Sequence, residues 1–416
     1  MDNYVVVAHR FWGRPGGSQL VCAAAAYAFD VMGFTPVLAS PVKVDVSGYA
    51  DWFGIDLKRY LKVSVYSVDI RAFGIYLRFL LGKTIKKTVE RFGARIIFVD
   101  DGTYKPVEEF VRKEGVKLIE YIHFPYEITV NEKFKGLGLY YEEDPYVLER
   151  YSRFPMNIYW KIYVKLLPRY MRKNPFSTAS LVLTNSRWTA DLVKSVYGEA
   201  PAVLNPPIPP NTDVVERPRV FNKRENAVVM VGRFSEEKRY HWVIEEVLPR
   251  LRREVPNTKL YIFGGARTRT ALNYLAKLEK IAAKNGFKTS RVVNADADVY
   301  LVPDAPRRTI NMVMDGAKVF LHATINEHWG IAVAEAMARG LPVVLHKSGG
   351  AWSDLAEEGA YALGYTNLEE AVEAISKLLT DEDMWKQLSR HSIEKAKNLS
   401  LEKFAEKLSK MLARVL

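Results

Sequence analysis

Eight short apolar runs, spread over both halves of the chain, limit what it can fold into more than any other feature. In the first half they are "YVVVAH" (4–9), "ARIIFVD" (94–100), "KLIEYIHF" (117–124) and "LVLTNS" (181–186). In the second half they are "AVVMVG" (227–232), "KLYIFGG" (259–265), "KVFLHAT" (318–324) and "PVVLH" (342–346). A strand that is apolar at every position is buried on both faces, which is the situation of parallel strands covered by helices. Amphipathic stretches of helical length lie between the runs and supply the crossovers. The fold class expected is therefore α/β, with doubly wound parallel sheets.

A chain of 416 residues is too long for one ordinary core and suits two domains of about 150–200 residues each. The best linker is "LNPPIPPNTDVVERPRVFNKREN", 204–226, with five prolines and many polar residues. The domains expected are 1–205 and 227–397, joined by 206–226. A helix over about 398–416, starting near Ser400, is expected to pack back on the first domain.

Cys22 is the only cysteine. This excludes a disulfide framework and a cysteine-based metal site, and points to a reducing compartment. No stretch reaches the roughly 18–20 apolar residues of a membrane span. The opening residues lack the basic-then-apolar order of a signal peptide, so a cytoplasmic location is expected. Two glutamines, Gln19 and Gln387, among 60 Lys and Arg and 48 Asp and Glu, are the usage of heat-adapted proteins. The net charge of +12 calls for an anionic partner: a phosphorylated small molecule, an acidic membrane surface or a nucleic acid.

Parallel sheets bind ligands beyond the carboxyl ends of their strands. Four places there carry chemistry. After the first strand, "HRFWGRPGGSQL" sets Gly16 and Gly17 before an Ala-rich helix that Ser18 can cap. Amides at such a start can approach an anion; the competing reading is a tight turn without a ligand. After "KLIEYI" stands His123, either a hydrogen-bonded structural residue or a partner for a sugar hydroxyl. Past "AVVMV" come Gly232, Arg233 and Lys238, two cations that suit a diphosphate or form a solvated loop. The Asp296–Asp298 pair is read as a loop, with no metal ligands expected.

The fourth place is "INEHWGIAVAEAMARG", 325–340. Glu327 lies in the loop after a strand, and Gly340 closes the helix that follows. Glu335 lies inside that apolar helix, where a bare carboxylate costs several kcal/mol unless something satisfies it. Either a protein donor or a polar ligand must do so. The amides of His328–Ile331 at the helix start form an anion site between the two carboxylates. Hydroxyls at both ends with phosphates between is the form of a sugar nucleotide.

These motifs resemble the family-four retaining glycosyltransferases of the GT-B fold. That family's signature is Glu, seven residues, Glu, here Glu327 to Glu335, with the Gly-Arg-x-x-x-x-Lys segment at Gly232, Arg233 and Lys238. "NEHWG", "LHKSGGAW", "YIHFPY", "TNSRWTADLV" and "LNPPIPP" are similar to segments of its GDP-mannose-dependent α-1,2-mannosyltransferase branch. Trp329 departs from that branch's usual Phe. The resemblance implies two Rossmann-like domains facing each other across a cleft. It assigns Glu327 to the donor sugar, Glu335 to the ribose, and the amides around Trp329, Gly330 and Ile331 to the diphosphate. Arg233 and Lys238 would neutralise the leaving group, the base would lie near Tyr300 and Leu301, and His123 would lie near the transferred sugar. Implied are a metal-independent reaction without cofactor, a GDP-mannose donor and a lipid-linked glycan acceptor. A soluble sugar synthase with a small acceptor and a non-catalytic nucleotide-sugar-binding regulator are the alternatives.

The segment 150–176, "RYSRFPMNIYWKIYVKLLPRYMRKNPF", interleaves aromatics with seven basic residues from Arg150 to Lys173 and no acidic one. Such a segment fits an anionic membrane surface, at the cytoplasmic face. The competing readings are an ordinary domain helix and a stacking surface for single-stranded nucleic acid, the last of which is not expected. "GIYLRFLLGKTIKK", 74–87, is assigned to the same surface.

Overall fold

The computed structural model describes residues 3–66, 74–102, 105–171 and 174–415. Arg172 and Lys173 of the basic segment lie outside the described residues. The chain forms two compact units. Unit 1 holds the chain up to Asp144, Tyr151–Asn211 and the stretch from Leu399; unit 2 holds Pro145–Arg150 and Thr212–Asn398. The short piece Pro145–Arg150 therefore belongs with the later residues, although it lies inside the expected first domain, 1–205.

Unit 1 is built on seven strands: β1 (Tyr4–Ala8), β2 (Thr35–Ser40), β3 (Leu61–Ser64), β4 (Ile96–Val99), β5 (Lys117–Ile122), β6 (Leu181–Thr184) and β7 (Ala202–Val203). Their order is β3-β2-β1-β4-β5-β6-β7, and every pairing is parallel. β1, β4 and β5 are buried almost throughout, as runs apolar on both faces require. The helix Gly17–Val31 packs between this sheet and a later helix, and its Ala23, Ala24, Ala25 and Ala26 are all fully buried. Their small side chains let helix and sheet approach closely. Gly16, in extended conformation, stands at its N-cap without a side-chain cap; Ser18 instead donates to Gln19 Oε1 at 3.1 Å. The helix Leu401–Leu412, capped by Ser400 on Lys403 N, packs in unit 1 against Gly17–Val31.

Unit 2 repeats the plan with β8 (Glu225–Val231), β9 (Lys259–Gly264), β10 (Thr289–Ser290), β11 (Val299–Pro303), β12 (Ala317–His322), β13 (Val343–His346) and β14 (Leu363–Tyr365). The order is β10-β11-β9-β8-β12-β13-β14, again parallel at every pairing. In each unit the chain winds outward from one strand, then crosses to that strand's other side. The order reverses between β1 and β4 and between β8 and β12. Such switch points open a crevice at the carboxyl ends of the two strands.

Candidate active site

In unit 2 the switch point brings together residues 89 positions apart. Beyond β8, Gly232 donates its N–H to Phe263 O at 2.9 Å. A Cβ at Gly232 would lie 2.8 Å from Tyr240 Oη and 3.3 Å from the Lys238 side chain. Glycine here lets Lys238 cross the strand end. Lys238 Nζ then donates to Glu327 Oε2 at 2.8 Å. His322, the last residue of β12, donates through Nε2 to the same oxygen at 2.9 Å. Burial alone would push the Glu327 carboxyl up. The Lys238 charge and the His322 bond outweigh it and hold the group well below its usual range. Burial lowers His322 in turn, against the pull of Glu327, so its ring is neutral near pH 7.

The loop that carries Glu327 is clamped from β13. Asn326, at φ +56°, adopts the left-handed conformation that Asn tolerates better than most residues. Its N–H donates to Ser348 Oγ at 2.8 Å. Gly350 N donates to Glu327 O at 2.7 Å. Gly349, at φ +76°, sits so close that a Cβ would lie 2.3 Å from Glu327 O. Ser348, Gly349 and Gly350 stand in the quoted segment "LHKSGGAW" without an assigned role, and His322, at the end of the run "KVFLHAT", was given none either.

Gly330, at φ +92°, caps the helix Ile331–Ala338 without a side-chain acceptor. The amides of its first turn thus meet no capping side chain, as an anion site requires. Trp329 is buried, and its Nε1 has no hydrogen-bond partner among the described residues. His328 is half-buried. Glu335, 2% exposed, is satisfied by the protein itself: Arg307 Nη2 donates to its Oε1 at 2.8 Å. That answers which partner lets a carboxylate stand in the apolar helix.

Two expectations change. Arg233 and Lys238 are not equivalent cations. Lys238 is fixed on Glu327, whereas Arg233 is 55% exposed and pairs with Glu237 at 3.0 Å. Tyr300 and Leu301 lie mid-strand in β11 and are fully buried. The Tyr300 ring stacks on Tyr261 at 4.2 Å and its hydroxyl donates to Ala295 O, so neither side chain is open to a base. The end of β11, Pro303, is the part of that strand which reaches the crevice side. Asp298, of the Asp-x-Asp pair, accepts from Arg252 at 2.6 Å and from Lys288 N, and Asp296 pairs with Lys288.

In unit 1 the strand ends beyond β1, β4 and β5 carry His9, Asp100 and His123. Asp100 Oδ1 accepts from His9 Nδ1 at 2.8 Å and Oδ2 from His123 Nε2 at 3.2 Å. The Asp100 side chain is 2% exposed and His123 about a quarter exposed. Burial raises the Asp100 carboxyl, but His9 and the His123 bond overcome it and keep the group ionised. The adjacent Asp101 pairs with Arg10 and Arg78, and Arg78 donates to Tyr163 Oη at 2.9 Å. His123 and the Gly16–Gly17 loop were legible; Asp100, Asp101, His9, Arg10 and Arg78 were not.

Tyr163 belongs to the helix Met156–Tyr170. Its aromatics face inward: Tyr163 and Tyr170 stack on Phe79, and Trp160 packs in the same cluster with Ile75 and Tyr76. Residues 75–79 are thus the floor under this helix rather than a second outer face. The outer face carries Lys161, Lys165 and Arg169 with Ile158 and Ile162, each 48% exposed, beside Phe154 at 78%. Among the described residues no helix is long and apolar enough to cross a membrane.

Two seven-stranded parallel sheets of this winding, each with its site at a switch point, define the GT-B architecture of glycosyltransferases. A glycosyltransferase structure from Rickettsia africae superposes with a TM-score of 0.68 at 14% identity, covering 100% of this chain and 98% of that one. Residues 212–399 match the family described as Glycosyl transferases group 1. Two curated relatives carry mannosyltransferase names. The GDP-Man:Man(3)GlcNAc(2)-PP-Dol alpha-1,2-mannosyltransferase of Eremothecium gossypii is 23% identical over 58% of this chain and 39% of its own length. The Alpha-1,3/1,6-mannosyltransferase ALG2 of Rhizomucor pusillus is 24% identical over 56% of this chain and 57% of its own. The chain thus spans roughly two fifths to three fifths of the relatives it matches.

Proposed function

We propose that the chain is a retaining glycosyltransferase that moves mannose from GDP-mannose to a lipid-linked glycan at the cytoplasmic face of an anionic membrane. One observation carries the reading: Glu327, kept ionised by Lys238 and His322, stands directly before an uncapped helix start. Glu327 Oε2 takes both protein bonds, so Oε1 is the oxygen that meets sugar hydroxyls. The amides around Trp329, Gly330 and Ile331 receive the diphosphate, and Lys238 and Arg233 offset the charge that grows on it as the sugar leaves. In that role the two cations replace a divalent metal. Glu335 meets the ribose from its Arg307 pair. An acceptor hydroxyl attacks the anomeric carbon as the carbon–phosphate oxygen bond breaks, and the leaving phosphate takes the hydroxyl proton. The mannose and the lipid-linked acceptor are supported by the names of the relatives alone.

Contact with the membrane is supported by the outer face of Met156–Tyr170. Exposed Ile158, Ile162 and Phe154 among Lys161, Lys165 and Arg169 combine apolar insertion with attraction to anionic headgroups.

Calorimetry across GDP, UDP and ADP sugars, then transfer of labelled mannose to a membrane lipid extract, tests the reaction. Label in a lipid fraction from GDP-mannose is expected. Transfer from UDP-glucose without any from GDP-mannose overturns the donor. Flotation with phosphatidylglycerol vesicles tests the surface. A chain that stays at the bottom of the gradient is a synthase of small acceptors instead.

A further inference from the structure

We propose that Gln19, His9 and Asp100 form a positioning chain that fixes the ring of His123 and presents its Nδ1 as a hydrogen-bond acceptor. The argument begins at a carbonyl, which can only accept. Gln19 Nε2 donates to Phe11 O at 3.1 Å, and Ser18 Oγ donates to Gln19 Oε1. Together they set which end of the amide is nitrogen. That nitrogen's second N–H points at His9 Nε2, 2.9 Å away. His9 Nε2 must therefore hold a lone pair, and the ring proton sits on Nδ1. From there it is donated to Asp100 Oδ1 at 2.8 Å.

Asp100 Oδ2 then accepts from His123 Nε2. With the Nε2 proton so used, the neutral His123 ring has its lone pair on Nδ1. The other groups facing Asp100 are Cys22, Tyr49 and Tyr121, whose protons burial and the Asp100 charge keep in place. Asp101, next in the chain, is matched by Arg10 and Arg78. Of the groups bonded to Asp100, His123 is the more exposed and carries its influence outward.

The glycine loop gains a second purpose. A Cβ at Gly16 would lie 2.4 Å from Gln19 Oε1, so Gly16 leaves the space that Gln19 occupies. An acceptor at His123 Nδ1 suits a sugar hydroxyl. This last step rests on the glycosyl-transfer reading; the proton arrangement does not.

Histidine-selective nitrogen NMR on the whole chain tests the arrangement, with the His123 signal assigned through His123→Asn. Expected are an Nε2–H tautomer for His123 and an Nδ1–H tautomer for His9; an Nδ1–H tautomer at His123 overturns the proposal. In Asp100→Asn, His123 should lose its Nε2–H preference and kcat should fall about 100-fold, with GDP affinity within about twofold of the parent on the same grounds. A folded Asp100→Asn with unchanged tautomer and kcat overturns it. Gln19 is only half-buried, so Gln19→Glu keeps the test alive if Asp100→Asn does not fold. A carboxylate there should draw a second proton onto His9 Nε2; a His9 that stays singly protonated overturns the chain. A parent protein that transfers no sugar yet shows both expected tautomers refutes the proposed reaction and supports the positioning chain.

Discussion

Both units bury a carboxylate at the point where their strand order reverses, and they treat it differently. Asp100 directly follows β4, and both its oxygens are taken by histidine rings. Glu327 lies in a loop past β12, and both its bonds fall on one oxygen. The first carboxylate acts on a ligand only through His123. The second has an oxygen to offer directly, and a lysine beside it supplies a counter-charge. The same winding thus yields a positioning site in one unit and a gripping site in the other.

The largest expected effect separates the two cations of unit 2. Lys238→Ala removes the fixed charge and leaves Glu327 part-buried with His322 alone. Transfer should fall about 1,000-fold, and stability by about 1–3 kcal/mol, discounted for the partial exposure of the pair. Arg233→Ala breaks an exposed pair worth at most about 1 kcal/mol and should cost about tenfold in rate. Initial rates at saturating GDP-mannose measure both. Equal losses would show that burial does not rank these cations.

Next come the glycines that support each carboxylate. Gly349→Ala forces a positive φ on alanine and drives its Cβ into the Glu327 backbone, which cannot yield. A loss of about 2–3 kcal/mol is expected. Gly16→Ala meets only the flexible end of Gln19, from an extended backbone that any residue adopts. It should cost under about 1 kcal/mol, the Gln19 amide swinging off His9. Urea unfolding of the two variants compares them directly. If Gly16→Ala proves as costly, the unit 1 loop is rigid rather than adaptable.

Smaller again is Glu335→Ala. It strands the Arg307 guanidinium, itself about a quarter exposed, at a cost of about 1–2 kcal/mol. GDP binding should weaken about tenfold, the value of one lost hydrogen bond to a charged group. Unchanged affinity in calorimetry would remove Glu335 from the ribose and leave it as the structural mate of Arg307.

The strands that sequence reading found have continuous apolar runs, because burial on both faces leaves that mark; β11, VYLVP, carries the same mark and was passed over. β7 and β10 are two residues long, and β2 opens on Thr35–Pro36, so neither length nor period announced them. Glu327, Lys238 and His123 were legible because each stands past a strand end, and Glu335 because it breaks the apolar pattern of its helix. Their partners were not. Asp100 reaches His9 across 91 residues, and Lys238 reaches Glu327 across 89. Only the sheet order makes them neighbours. The aromatics of 150–176 looked like an outer surface because composition does not tell the inner face of a helix from the outer. The period does: Ile158 and Ile162 share a side with Lys161, Lys165 and Arg169, away from Tyr163 and Leu167.

The smallest effect concerns pH. Burial lowers His322 in the folded protein, so the unfolded chain takes up a proton first as pH falls below about 6.5. More protons on the unfolded state means stability drops with falling pH, by at most about 1.4 kcal/mol per pH unit for one group. Glu327 and Asp100 behave oppositely in window. Both are depressed, so their contributions are complete above the ordinary carboxylate range and fade only below it. Between about pH 6.5 and 4.5 the slope carries the histidines His322, His241 and His346, which burial lowers, opposed by Glu149, whose carboxyl burial raises. His322→Gln keeps a donor toward Glu327 and removes one titrating group. Urea unfolding at half-unit steps across this window should show a flatter slope for the variant and the same plateau above pH 7. An unchanged slope would mean that the neutral ring beside Glu327 takes no part in the acid response.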